Sequence, residues 1–110
     1  MPSWYTVVQY LPRPVAEERV NLGIIAWGGG EVVCAFVDDF ARARAFGGGD
    51  VSCVAEAVGE LKRAVGEGRL GEAVERMARE WGGIVQLTPP RASLLGPREL
   101  LGVLRPLFLA

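Results

Sequence analysis

The chain has 110 residues, half of them apolar, with twelve basic and thirteen acidic groups and a formal charge of −1. That size suits one packed domain spanning 1–110, and the near-zero charge gives little hold on phosphate backbones, so nucleic acid is not an expected partner. With no histidine and only two cysteines, Ser-His-Asp and Cys-His catalysis and ordinary zinc sites are excluded.

Residues 4–11, "WYTVVQYL", are aromatic and β-branched and predict a strand, which "PRPV" stops. A second strand is expected from about Arg19 to Trp27 and a third from about Val32 to Val37, joined by Gly28, Gly29, Gly30 and Glu31 as a hairpin. Strict alternation sets Arg19, Asn21, Gly23, Ile25 and Trp27 on one face and Leu22, Ile24 and Ala26 on the other. Both faces are then apolar, so both need cover. Helices can supply one side; more chain or a second subunit must supply the other.

The stretch "RARAFGGG" reads as a linker. A helix follows, with Asp50 as a suitable N-cap and Val51, Val54, Val58, Leu61 and Val65 recurring at three and four residues. "GEGR" breaks it. The next helix carries the stripe Leu70, Ala73, Val74, Met77, Ala78 and Trp81, with Glu72–Arg76 and Glu75–Arg79 spaced for i,i+4 pairing, and Gly82-Gly83 ends it. "IVQLT" predicts a fourth strand, stopped by Pro89-Pro90. Pro97 suits a first helical position, and a last helix is expected to run to about Arg105, where Pro106 bends or ends it. The order β-β-β-α-α-β-α predicts an α+β fold, an antiparallel or mixed sheet with helices packed mainly on one face. No apolar run approaches the roughly 20 residues of a membrane span, and Met1-Pro2-Ser3-Trp4 lacks a signal-peptide pattern, so a cytoplasmic protein is expected.

Three segments are candidate sites. Around "EERVNLG", Arg19 and Asn21 with Glu18 and Gln9 form either a recognition patch or a local tie, since Asn21 beside an apolar run needs hydrogen-bond partners. Gly23 inside a strand signals a bulge or a close approach of another group. Arg42 and Arg44 precede glycines and a helix start, an arrangement that can attract phosphate, although Asp50 opposes it and no phosphate-loop motif is present. Asp38-Asp39 offers too few oxygens for a metal site, and "TPPRAS" is either a contact loop or a strand terminator. No cofactor is expected. Cys34 and Cys53, each in apolar surroundings, read as free thiols.

The segment from Tyr5 to Tyr10, "YTVVQY", then Pro12, then Glu18, Val20, Asn21, Leu22, Gly23, Ile24 and Ile25, resembles the bacterial domain-of-unknown-function family numbered 3037. The likeness extends loosely through Arg42, Arg44, Asp50 and "QLTPPR". It implies a small cytoplasmic protein without assigned activity, encoded beside a kinase-like protein resembling the HipA toxin kinases, and hence a partner of one. The expectation from these readings together is a non-enzymatic interaction or regulatory subunit, as a homodimer or within a complex. The alternative is a binder of, or enzyme acting on, a phosphorylated small molecule or nucleic acid end through Arg19, Asn21, Arg42 and Arg44.

Overall fold

The computed structural model describes residues 2–11, 19–47, 52–80 and 85–109. Five strands, β1 (Ser3–Tyr10), β2 (Val20–Gly28), β3 (Glu31–Phe36), β4 (Val85–Leu87) and β5 (Arg91–Ser93), form one antiparallel sheet. The order is β3-β2-β1-β4, with β5 also on β1. Helices α1 (Ala41–Gly47), α2 (Ser52–Glu67) and α3 (Leu70–Glu80) separate β3 from β4, and α4 (Pro97–Phe108) ends the chain, so the fold is α+β.

The hairpin is tighter than the four-residue connection expected. Gly28 pairs with Glu31, leaving Gly29 and Gly30 as a two-residue turn at φ 59° and 82°. Both angles are left-handed, as a type I′ turn demands and glycine permits at no steric cost.

Strict alternation fails in β2. Val8 pairs with Gly23 and Gln9 with Asn21, so Leu22 is an extra residue in the ladder. This bulge flips the parity: Val20 and Leu22 share a face with Ile25 and Trp27, while Ile24 and Ala26 take the other. The grouping of Leu22 with Ile24, and of Asn21 with Ile25, is therefore corrected. The glycine at the bulge has a steric reason. The Phe36 ring, from the residue paired with Gly23, occupies the space where a Cβ at position 23 would stand.

Each face of the sheet has its own cover. On one, Val8, Tyr10, Val20, Leu22, Ile25 and Phe36 pack beneath Ala43 of α1, Val54, Ala57, Val58, Leu61 and Ala64 of α2, and Ala73 of α3. On the other, Ile24 and Ala26 pack against Leu100 and Leu104 of α4, with Tyr5, Val33, Leu101 and Phe108 around them. Most of the helices share one face, as expected, and for the other face, where more chain or a second subunit was expected, the C-terminal helix of the same chain supplies cover.

Three local readings change. The supposed linker contains α1, whose first turn is capped by the Asp39 carboxylate accepting from the Ala41 amide at 3.0 Å. α4 continues through Pro106 to Phe108, since a proline in the last turn removes a single backbone bond. Pro89-Pro90 interrupts the edge strand without ending it, because β5 resumes pairing along β1. At the break, the Thr88 hydroxyl accepts from the Val7 amide at 2.9 Å and the Thr6 hydroxyl donates to the Thr88 carbonyl at 2.5 Å.

Asp50, Val51, Trp81 and Gly82-Gly83 lie outside the described residues. Arg76, expected to serve Glu72, reaches across to Glu60 of α2 at 3.4 Å. Among the described residues no helix is long and apolar enough to cross a membrane.

Candidate functional site

The bulge turns Asn21 toward the α4 side of the sheet. Its Oδ1 accepts from Gln9 Nε2 at 3.0 Å, and its Nδ2 donates to the Phe108 carbonyl at 3.2 Å. The last carbonyls of any helix lack internal partners, so Asn21 satisfies one of α4's orphans while orienting the Gln9 amide. Among the described residues Asn21 acts as a tie, and the tie runs to the far end of the chain. The loop entering β2, residues 12–18, lies outside the described residues.

Beside this clamp opens a pocket of about 510 Å³. Asn21, Asp38, Asp39, Phe40, Arg105 and Phe108 are among its lining residues. Asp39 is already engaged as the α1 cap. The pocket therefore offers two exposed carboxylates, one of them also serving as a cap, one exposed guanidinium and a half-buried amide over an apolar floor, a set suited to polar contact.

Of the six predicted site residues, Gln9 and Asn21 are brought together. Arg19 lies exposed at the approach to β2 and Arg44 lies exposed on α1, and neither lines the pocket. Glu18 and the side chain of Arg42 are outside the described set. Sequence reasoning missed Arg105 altogether. Its signal was position: it lies one turn before Phe108, whose carbonyl Asn21 holds.

Both cysteines are free. Burial pushes the Cys34 thiol above its ordinary value of 9.0, and the Lys62 ammonium partly offsets that rise. Lys62 sits over the Phe36 ring, 5.6 Å from its centroid. A neutral, half-buried thiol is a poor nucleophile, so Cys34 is packing material here.

These features define a class: an antiparallel α+β sheet layered between helices on both faces, with a side-chain clamp fastening the last helix. The family profile described as "Protein of unknown function (DUF3037)" matches residues 5–102. The chain belongs to that family. No curated protein and no solved structure matches it.

Proposed function

We propose that the chain is a non-catalytic interaction subunit, acting by docking onto another protein. The observation that carries this reading is the outer side of α4. Leu100 and Leu104 of that helix are buried against the sheet, yet Val103 and Leu107, four residues apart, remain 51% and 71% exposed. Large apolar side chains grouped on one helical face, outside a sheet already covered on both sides, support a protein contact. Because α4 supplies the second cover, the sheet itself creates no demand for a second copy, and a different protein is the favoured partner. A HipA-like kinase is the partner class the family resemblance suggests.

The alternative, action on a phosphorylated small molecule or nucleic acid end, needs Arg19, Arg42 and Arg44 to converge with Asn21. Arg19 and Arg44 lie outside the pocket at Asn21, and Asp38 and Asp39 bring negative charge to it. Both facts weigh against a phosphate there.

The test is affinity purification of the tagged chain from the organism that encodes it, with crosslinking and mass spectrometry. A protein recovered in stoichiometric amount and crosslinked to the chain supports the reading. Recovery of the chain alone overturns it.

A further inference from the structure

β3 is one of the two edges of the sheet, and among the described residues no strand pairs with its outer side. Its pairing with β2 fixes which backbone groups are spent. Gly28 and Glu31 close the two-residue turn as a hydrogen-bonded pair, and the Val37 amide donates to the Leu22 carbonyl at 2.9 Å at the other end. Alternation between those points turns Val33 and Ala35 toward β2, and the N–H and C=O groups of Val32 and Cys34 outward. No described residue hydrogen-bonds to those outward groups.

The edge is not a bare rim. It forms the floor of a slot of about 480 Å³ walled by Val65 of α2 on one side and by Leu101 and Gly102 of α4 on the other. Gly102 keeps that wall low: a Cβ built there meets no described residue within 4 Å, as at the other helical glycines Gly59, Gly66 and Gly71, so a backbone has room to approach α4 through the slot.

The charges around the slot are mainly positive. Arg105 lines it and has no ion pair with a described residue, Arg98 lines it while donating to Glu31 at 3.0 Å, and Lys62 stands one turn before Val65. Glu31 is the one carboxylate in this group.

We propose that this slot is a strand-docking site for an extended segment of a partner protein, aliphatic at alternate positions and bearing carboxylates. The proposal rests on the reading of the chain as an interaction subunit. Main-chain bonds to Val32 and Cys34 supply the pairing, the walls select aliphatic side chains, and Arg105 and Lys62 select acidic ones. A second copy offering its own β3 brings its own α2 and α4 against walls that already flank the edge. A lone strand fits between those walls; another covered sheet does not.

The experiment is selection of a displayed random peptide library, about eight residues long, on the full chain and on Gly102→Trp, which fills the slot. The wild-type chain is expected to enrich peptides alternating aliphatic and acidic residues. Gly102→Trp is expected to bind them at least about tenfold more weakly with an undiminished melting temperature, and Gly71→Trp on α3 is expected to bind them normally. Bound peptide should also slow hydrogen exchange at the Val32 and Cys34 amides in the wild-type chain, a readout that stands if the tryptophan variant fails to fold. No enrichment, enrichment unaffected by Gly102→Trp, or a chain dimer dissolved by Gly102→Trp would each overturn the proposal. If the partner protein is recovered equally by wild type and Gly102→Trp, the slot is wrong and the subunit reading survives. If neither recovers a protein, the subunit reading itself fails.

Discussion

Asn21 and Phe108 are 87 positions apart in the chain and 3.2 Å apart in space, the amide of one holding the carbonyl of the other. This bond joins the bulged end of β2 to the last turn of α4. Replacing Asn21 with alanine leaves that carbonyl and the Gln9 amide to water. The expected cost is about 1 kcal/mol, at the low end for a lost bond because the site is half-buried, read by chemical denaturation. Arg19→Ala, at an exposed position, should stay within about 0.5 kcal/mol of wild type.

Gly23 is held by the Phe36 ring, whose Cε1 lies 2.5 Å from where a Cβ would stand. Gly23→Ala should therefore destabilise by about 1–3 kcal/mol through overpacking. Trimming Phe36 to leucine in the same chain should return part of that loss. A double-mutant cycle measures the coupling; simple additivity would mean that the ring is not the obstacle.

α4 is held by Leu100 and Leu104. Leu104→Ala should cost about 2–5 kcal/mol. Leu104→Asp, which cannot be buried unpaired, should lift the helix and bare Ile24, Ala26, Tyr5 and Val33. Light scattering should then show concentration-dependent association in the variant and none in the parent.

The Cys34 thiol is raised by burial. A group whose folded value exceeds its unfolded one keeps its proton longer when folded, so its contribution is full below the unfolded value and is lost as pH climbs through the folded one. Stability should thus fall as pH rises from about 8 toward 10, and fall less in Cys34→Ala. Equal slopes in the two chains would remove Cys34 as a cause.

The sequence was most legible where side-chain period and packing agree. The stripe of Val54, Val58 and Leu61 has one helical solution, and α2 follows it. The alternation of β3 likewise sets Cys34 and Phe36 against Val33. It was least legible where one residue alters the count. Gly23 in "RVNLGII" signals a bulge or a close approach, and both are found, but that Leu22 is the extra member of the ladder depends on how β2 pairs with β1. α1 was hidden for a related reason: "ARARAFG" has too short a period to read, and its start depends on the Asp39 cap. At the candidate site, Asn21 was visible as a polar residue in need of partners, but Phe108 as its acceptor is a product of where α4 lands. Two-sided apolar strands correctly demanded two covers. They did not say that both would come from one chain.

Site-resolved amide hydrogen exchange on the isolated chain tests the central claim, a sheet covered on both faces by its own helices and left open along β3. The account predicts alternation along that strand, with slow exchange at Val33 and Ala35 and fast exchange at Val32 and Cys34. Exchange at Val32 and Cys34 as slow as at Val33 would contradict it, since the outer edge would then already be paired.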